Sequence, residues 1–378
     1  MIEKDKLNDQ ERAVLDRIAA DPFAGQQEIA DSLGLARPTV ATYIAHLTRK
    51  GYLFGRAYVL AEANRIVCVG GATVDRKYRA CEPLQQGTSN PVTSRRSFGG
   101  VARNVAETLA RLGAPSSLIS VVGDDGSGHS LVRHLQSCGV DTTRVLMVSG
   151  YATAEYAAIL NADNELALGI ADMEIFDSVT IDDMQRFWPA MAGASWVFAD
   201  CNLPPAVLTW LRERRVGARF RLAVDAVSAV KVMHLQADLT GIDVLFLNMQ
   251  EAVALVGEST APTPRALTAA LLARGAGSVV LTNGAGGLVV ASGAKLINLA
   301  GVKANVVDVT GAGDALIAGT LARLLHGEQL PEACQTGMIA AVLAVESDES
   351  VNSSISEQLI ERNLHRLPAA PKSQKKAS

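Results

Sequence analysis

Residues 308–315, DVTGAGDA, follow one apolar run and open a second one that we predict to be a helix. Two glycines allow a tight turn, so that the N–H groups of 311–314 point from the helix N-terminus toward an anion. The carboxylate of Asp314 would repel phosphate, so its useful role is to accept a proton from an attacking hydroxyl. An ordinary helix start is the alternative. The residues favour phosphate chemistry.

Composition and charge bound the class of protein. The 378 residues exceed one usual domain, and 48% hydrophobic with 20% charged residues is typical of a soluble globular protein. A net charge of −4 gives no global reason to expect a nucleic acid or a membrane as partner. The five cysteines are scattered without CxxC pairs, which predicts a reduced, cytoplasmic protein. No run of 18 apolar residues occurs, so we expect no membrane span.

Beyond position 65, apolar runs alternate with amphipathic segments, a pattern typical of buried parallel strands between helices. The runs are RIVCVGG, SLISVVGD, WVFADCN, RLAVDAV, VLFLN, SVVLTNG and GLVVAS. They predict a doubly wound, mostly parallel α/β domain over residues 63–366. Stretches 73–97 and 145–168 do not fit the alternation and predict exposed strands, which would form a small β-sheet lid. The polar residues 367–378 predict a disordered tail.

The first 62 residues predict a different domain. Two helices, a glycine turn, a third helix and a hairpin are the order of a winged helix-turn-helix. From residue 35 to residue 60 every charged residue is basic, which predicts duplex DNA as partner. The residues expected on phosphates are Arg37, Arg49, Lys50 and Arg56, and those nearest the bases are Thr39, Thr42, Tyr43 and His46. The alternative is a helical bundle used only for dimerisation.

Two further motifs suit a ligand with hydroxyl groups. Gly99 and Gly100 precede a helix with Asn104 in its first turn, where a ligand could approach the backbone and bind the amide. Asp75 follows the first apolar run, and its carboxylate could accept from two sugar hydroxyls. A tight strand-to-helix turn and a solvated turn aspartate are the alternatives.

Another pair of motifs concerns a nucleotide. No GxxxxGK[ST] occurs, which excludes a P-loop enzyme, and the GxGxxG fingerprint lacks its third glycine at Leu316. Asn248 and Glu251 could lie near a metal-bound polyphosphate, or they could form a common helix-capping pattern. The turn LTNGAGG at 281–287 suits a nucleotide phosphate or a plain hairpin.

Together and in this order, the motifs resemble the ribokinase-like family of sugar and nucleoside kinases. The pattern GG-x3-N-x7-LG at 99–113 is similar to the N-terminal signature of that family, and DVTGAGD is similar to its C-terminal signature. Val309 stands where the family usually has threonine, and Thr310 still supplies a hydroxyl. Within the family the chain resembles pseudouridine kinases, in the stretches GGVARNVAETLARLG, ADMEIFDSVT, ADCNL, DAVSA, NVVDVTGAGDA and ESDESVN.

The resemblance implies transfer of the γ-phosphate of ATP to the 5′-hydroxyl of a ribosyl nucleoside, with pseudouridine first. The implied catalytic residues are Asp314 as base and Gly311, Ala312 and Gly313 as anion hole. Those implied for the substrate are Asp75, Gly99, Gly100 and Asn104, with Thr153, Tyr156 and Asp172 in the lid. Those implied for ATP are Asn248, Glu251, Thr282, Gly284 and Gly287. Glu251 would hold Mg²⁺ through water, and a K⁺-type ion would be held by Asp308, Thr310 and Ser353.

Two alternatives of function stay open. One is a kinase for inosine, guanosine, cytidine or a plain sugar. The other is a transcription regulator that senses a nucleoside with a kinase-derived domain. In either case we expect a homodimer.

Overall fold

The structure, a computed structural model, describes residues 7–21, 24–54, 59–60, 64–257 and 263–368. The helices are α1 (Asp9–Ala20), α2 (Gln26–Leu33), α3 (Arg37–Arg49), α4 (Val101–Arg111), α5 (Gly126–Ser137), α6 (Ile181–Gly193), α7 (Pro205–Arg215), α8 (Met249–Val256), α9 (Pro264–Ala273), α10 (Ala312–Leu325), α11 (Leu330–Val345) and α12 (Glu357–Asn363). The strands are β1 (Leu53–Phe54), β2 (Val59–Leu60), β3 (Ile66–Val69), β4 (Thr73–Ala80), β5 (Val92–Gly99), β6 (Ser116–Gly123), β7 (Asp141–Val148), β8 (Glu155–Leu160), β9 (Leu166–Asp172), β10 (Trp196–Asp200), β11 (Arg221–Asp225), β12 (Val244–Asn248), β13 (Ser278–Thr282), β14 (Gly287–Ser292) and β15 (Lys295–Ala300).

The N-terminal module is formed by α1, α2, α3 and the antiparallel pair β1 and β2. A capping box between Asn8 and Glu11 begins α1, and Gly34 ends α2 in the left-handed conformation that glycine adopts without a Cβ clash. Apolar side chains of the three helices pack into a separate small core. The arrangement is a winged helix-turn-helix, as predicted. Arg56, in the predicted wing, lies outside the described residues.

A nine-stranded sheet forms the centre of the second domain, in the order β15-β14-β13-β12-β11-β10-β3-β6-β7. The seven strands β13, β12, β11, β10, β3, β6 and β7 are parallel to one another. In contrast, β14 runs antiparallel to β13, and β15 runs antiparallel to β14. The parallel assignment of GLVVAS, residues 287–292, is therefore wrong. The turn between β13 and β14 is too short for a crossover and joins antiparallel strands only. β7 and β15, which the apolar runs did not predict, complete the two edges.

Helices cover both faces of this sheet. Val67 and Val69 pack toward α6, α7, α8 and α9, while Ile66 and Cys68 pack toward α4, α5, α10 and α11. The alternation of side chains along a strand places them in two cores. The result is the three-layer, mostly parallel α/β architecture predicted from the apolar runs.

The predicted lid is a four-stranded sheet in the order β5-β4-β8-β9. Its strands come from the two stretches that broke the helix–strand alternation. The prediction is wrong only for residues 145–148, which end β7 in the main sheet because they pair with β6. Asp75 and Tyr156 are partners across β4 and β8, so their side chains share one face of the lid, which we call the inner face.

The N-terminal module packs against α6 of the larger domain. A Cβ at Gly51, which has φ +76°, would collide with the carbonyl oxygen of Ala192. The guanidinium of Arg219 lies 5.2 Å from the ring centroid of Tyr52. The close backbone approach and the cation–π contact hold the module to the domain.

Three further predictions concern a membrane span, the state of the cysteines and the C-terminal tail. Of the described helices, none combines the length and the apolar character that a membrane crossing needs. All five cysteines are free thiols, and Cys68, Cys201 and Cys334 are buried. The predicted disordered tail, 367–378, lies outside the described residues from position 369 onward.

Candidate active site

The candidate site lies at the carboxyl ends of the central parallel strands, where a doubly wound sheet usually binds its ligands. β10 ends at Asp200, β11 ends at Asp225 and β12 ends at Asn248. The N-terminus of α10 and the inner face of the lid complete the site. Residues from five distant parts of the chain are thereby brought together.

The turn before α10 leaves N–H groups free for an anion. The first bond of the helix runs from the N–H of Ala315 to the carbonyl of Gly311, at 2.9 Å, so the N–H groups of Gly313 and Asp314 have no partner within the helix. Gly311 has φ +81°, and a Cβ there would collide with the carbonyl of Ser350. Glycine is therefore required at this position.

Asp314 has the electrostatics of a general base. Burial raises the pKa of its carboxyl to about 6, while a 2.6 Å hydrogen bond from Nδ2 of Asn104 and the charge of Arg103 oppose the rise. The charges of Asp75 and Asp200 raise the pKa further. A carboxylate with a pKa close to neutral is ionised at pH 7 and still basic enough to take a proton.

Asp75 and Asn104 are polar side chains close to Asp314. Burial raises the pKa of Asp75, and the hydroxyl of Thr73 donates to its Oδ1 at 3.0 Å. A Cβ on Gly99 would collide with the Asp75 carboxylate, so this glycine makes room for the acid. Oδ1 of Asn104 is buried and has no hydrogen-bond partner among the described residues. These acceptors suit a ligand with several hydroxyl groups.

Gly100 has a packing role that the sequence left open. Its φ is +92°, and a Cβ would collide with the carbonyl of Gly71. The residue lets the loop after β3 and the start of α4 touch. The tight-turn interpretation therefore fits Gly100 better than direct ligand contact.

Asp200 is a central residue that the sequence reasoning missed. It is fully buried at the end of β10 and accepts from the N–H groups of Gly71 (2.8 Å), Ala102 (2.8 Å) and Asn202 (2.9 Å). Burial raises the pKa of Asp200, and these three bonds oppose the rise. The carboxylate thus joins the glycine loop after β3 to the first turn of α4. An aspartate at the end of a buried strand, WVFAD, is the signal that could have found it.

A buried cation balances these carboxylates. Arg103 donates to Oε2 of Glu107 at 2.9 Å and to the carbonyl of Phe98 at 3.1 Å. Ligand atoms of Glu107, His134 and Cys138 lie within 4.8 Å of one another, close enough to consider a metal. However, Glu107 already accepts from two arginines, so the group forms an ion-pair network behind the site.

A cleft at the N-terminus of α10 suits a nucleotide. It has a volume of about 920 Å³, and its lining includes Thr282, Gly284 and Gly287 together with Ala312 and Gly313. Apolar side chains such as Leu288 and Val342 line its other wall. The glycine-rich turn and the N-terminus of α10 therefore open on one space, as a polyphosphate bound between them would need.

Asn248 and Glu251 do not line this cleft. They form a capping box at the start of α8, in which Oδ1 of Asn248 accepts from Glu251 N–H at 3.0 Å and Oε2 of Glu251 accepts from Asn248 N–H at 2.7 Å. The capping alternative thus describes what these two side chains do in this structure.

The carboxylates at this end of the sheet suit a hard divalent cation. Burial raises the pKa of Asp225 well above its usual range, and the charges of Asp314, Glu251 and Asp200 act in the same direction. Oxygen donors are what Mg²⁺ prefers, and a divalent ion would relieve the repulsion among these acids. These carboxylates therefore suit Mg²⁺ near Asp225, whereas both oxygens of Glu251 already accept from Asn248. The sequence reasoning did not include Asp225.

The predicted ligands of a monovalent cation contact protonated groups in this structure. Oδ1 of Asp308 accepts from the N–H and the hydroxyl of Thr310, at 2.9 and 2.7 Å, and Oδ2 accepts from Lys77. The carbonyl of Ser353 accepts from Arg111 at 2.8 Å. Two of the three expected ligands, the Asp308 carboxylate and the Ser353 carbonyl, thus already accept from protonated side chains, and at Asp308 the cation present is the ammonium of Lys77.

Only one of the three predicted lid residues faces the site. Tyr156 shares the inner face with Asp75. Asp172 is the cross-strand partner of Glu155, which is the neighbour of Tyr156 in the chain. Because successive side chains of a strand point to opposite faces, the side chain of Asp172 lies on the face opposite to Tyr156. The hydroxyl of Thr153 is buried between Gly123 N–H and Asp125, at 3.1 and 2.8 Å, and supports the start of α5. The predicted ligand contacts of Thr153 and Asp172 therefore do not agree with the structure.

Helix α3 divides the predicted DNA residues into two faces. Lys50 donates to both oxygens of buried Glu11 at 2.8 Å, and His46 lies 3.6 Å from the same carboxylate. The hydroxyl of Tyr43 donates to Gln10. These three side chains are turned toward α1. Their predicted DNA contacts therefore do not agree with the structure. Arg37, Thr42 and Arg49 are exposed, and Thr39 is half-buried between the two faces.

Comparison with known proteins gives two family matches. Residues 63–357 match the pfkB family carbohydrate kinase model, and residues 7–53 match a winged helix-turn-helix DNA-binding model. The chain is 30% identical to an uncharacterized sugar kinase of Escherichia coli (strain K12), with 93% of this chain and 97% of that protein aligned. This alignment is longer than the kinase match and extends into the N-terminal module.

Two further proteins resemble the larger domain. A pseudouridine kinase of Escherichia coli (strain K12) is 31% identical over 79% of this chain and 95% of its own length. A carbohydrate kinase structure from Agrobacterium tumefaciens superposes with a TM-score of 0.73 at 31% identity, covering 81% of this chain and 98% of that one. The relatives therefore align over almost their whole lengths.

Proposed function

The chain belongs to the pfkB family of carbohydrate kinases, and we propose that it transfers the γ-phosphate of ATP to the 5′-hydroxyl of a ribosyl nucleoside, with pseudouridine as first candidate. The observation that carries the proposal is the arrangement at Asn104. Its Nδ2 donates to Asp314, whereas its buried Oδ1 is left to accept from a substrate hydroxyl. The similarity to a pseudouridine kinase supports the choice of nucleoside.

In the proposed reaction, the substrate hydroxyl oxygen attacks the γ-phosphorus, and the bond from that phosphorus to the bridging oxygen of ADP breaks. Asp314 accepts the hydroxyl proton. The N–H groups of Gly313 and Asp314, with the dipole of α10, stabilise the charge on the transferred phosphoryl group. Asp75 and Oδ1 of Asn104 hold the ribose, and the lid excludes water. Asp225, with Glu251 through water, would hold Mg²⁺, which would neutralise charge on the polyphosphate.

The acceptor is tested by measuring ATP consumption with pseudouridine, uridine, inosine, guanosine, cytidine and ribose. We expect the highest kcat/KM with pseudouridine. Preference for another nucleoside or for ribose would replace the proposed substrate and leave the assignment of Asp314 in place.

Asp75→Ala and Asn104→Ala are each expected to raise the KM of the acceptor, because each removes hydrogen bonds to its hydroxyls. A hydrogen bond to a charged group is worth about 1.5–3 kcal/mol and a neutral one about 0.5–1.5, so Asp75→Ala has the larger effect. Asp172→Ala is the matched control, because this lid aspartate leaves the opposite face. Unchanged acceptor kinetics in both test variants would contradict the proposed binding of ribose by Asp75 and Asn104.

The pH dependence follows from the pKa of Asp314, about 6. The base must be ionised, so kcat/KM is expected to rise with pH through a midpoint near 6 and to fall about tenfold per unit below it. Because the Asn104 hydrogen bond lowers this pKa, Asn104→Ala moves the midpoint to higher pH. A profile without an acidic limb would show that Asp314 is not the base.

A second role, regulation of transcription, is favoured by the winged helix-turn-helix. We propose that the exposed face of α3 binds duplex DNA in a homodimer. Thr39 and Thr42 would lie nearest the bases, and Arg37 and Arg49 would contact phosphates. The dimer is supported by exposed apolar side chains on the edge strand β9, Leu166, Leu168 and Ile170, and sedimentation measures it. A sensor without kinase activity would bind DNA and fail the ATP assay.

Arg49→Ala is expected to flatten the salt dependence of DNA binding. Loss of one phosphate contact per subunit removes two from a dimer, which makes the log–log slope less negative by about 2. Lys50→Ala is the control: it keeps the slope and destabilises the module, because Glu11 loses its partner. The binding constant is measured by fluorescence anisotropy over a range of salt. If genomic fragments do not bind even at low salt, the module serves structure or dimerisation.

A further inference from the structure

Two basic residues on the inner face of the lid lie directly opposite each other. Lys77 on β4 and Arg95 on β5 are cross-strand partners, so their side chains leave the same face. Like charges in this position destabilise an antiparallel pair. An anionic partner for each therefore stabilises the lid. We call Lys77 and Arg95 the cationic pair.

Each member of the cationic pair contacts a different loop beside α10. Lys77 forms an ion pair with Asp308, which precedes the anion-binding turn, and Arg95 forms one with Asp348 after α11. The exposed fractions of the side chains are 35% and 23% in the first ion pair and 49% and 64% in the second. The first pair is more shielded from water and therefore the stronger of the two.

Both oxygens of Asp308 accept hydrogen bonds, and one of the donors is a cation. Thr310 donates twice to one oxygen, and Lys77 donates to the other. Burial alone would raise the pKa of Asp308, but the hydrogen bonds from Lys77 and Thr310 lower it below its usual range. The carboxylate is thus ionised and paired with an ammonium, which has the same single charge as K⁺.

We propose that the Lys77 ammonium replaces the monovalent cation beside the anion-binding turn, so that turnover needs no added K⁺. Lys77 is then a positioning residue: it fixes Asp308, and through Asp308 the turn that leads to Gly311. Because Lys77 belongs to the lid, lid closure and ordering of this turn occur together. The inference rests on the proposed role of that turn in phosphoryl transfer.

The test compares initial rates in potassium and in choline salts at constant ionic strength. We expect wild-type rates to be equal in both. Lys77→Met is expected to lose roughly ten- to a hundredfold in choline, the factor that a hydrogen bond to a charged group represents, and to recover most of it in potassium. Lys77→Arg is expected to stay independent of potassium. Arg95→Met is the matched control, which loses a lid charge without gaining potassium dependence.

A second readout needs no acceptor substrate. Potassium is expected to raise the thermal unfolding midpoint of Lys77→Met and to leave that of the wild type unchanged. This measurement separates a failure of the inference from a wrong choice of nucleoside. Activation of the wild type by potassium overturns it. The inference is also overturned if Lys77→Met is fully active in choline, or if potassium restores neither the rate nor the unfolding midpoint of this variant.

Discussion

Asp314→Asn is expected to lower kcat by at least about 10²–10⁴-fold, the usual contribution of general acid–base catalysis. The asparagine is nearly isosteric and can occupy the same place in the first turn of α10, but its amide does not take a proton. ATP binding persists, since Thr282, Gly284 and the N-terminus of α10 are unchanged. The unfolding temperature is not lowered, because the burial that raises the pKa of Asp314 to about 6 disfavours its charge in the folded state.

The matched control for this variant is Glu332→Gln. Glu332 is also a first-turn acid, at the start of α11, and it is exposed. It should keep wild-type kcat, since it does not line the cleft at the N-terminus of α10. Single-turnover assays separate chemistry from product release. Phosphorylation by Asp314→Asn near the wild-type rate would assign the base to another residue.

Asp200→Ala is expected to lower stability more than any other single change in the site. Each buried N–H group that loses its acceptor costs about 1–3 kcal/mol, and three are affected, so the loss is at least about 3 kcal/mol after partial relaxation. The free energy of unfolding can be measured in urea by tryptophan fluorescence. Trp196 is a suitable probe because it lies on the same strand as Asp200.

Asp200→Asn should lie between the wild type and Asp200→Ala. Its carbonyl oxygen can still accept, while its NH₂ group faces N–H groups that it cannot satisfy. In Asp200→Ala the loop at Gly71 is released from α4, so the KM of the acceptor rises as well. A wild-type unfolding midpoint in Asp200→Ala would refute the structural role of this carboxylate.

Features encoded within a few residues could be predicted from the sequence. The turn and the acid of DVTGAGDA are contiguous, and the apolar runs determine the strands because each one buries its own side chains. Contacts across long separations could not be predicted. Asp200 holds Gly71, and Lys77 pairs with Asp308, across 129 and 231 positions. Such partners depend on the order of strands in the sheet.

The wrong predictions for α3 and for β9 come from the periodicity with which side chains point to the faces of a helix or a strand. In a helix, Tyr43, His46 and Lys50 follow one stripe, whereas Thr42 and Arg49 lie on the next. Only the second stripe is turned away from α1. Likewise, Asp172 shares a lid face with residues two positions away and not with those beside it. Strand phase can be decided only once the pairing partner is known.

The contact between Gly51 and Ala192 has a consequence for the choice of operator. Because the module is packed against α6, the separation of the two α3 helices in a homodimer would be set by the kinase domains. Half-sites on B-DNA recur about every 34–36 Å along the duplex, so only operators with a matching period would be bound by both helices. If nucleoside binding shifted the two protomers, the distance between their α3 helices would change, and with it the operator spacing that both helices can reach.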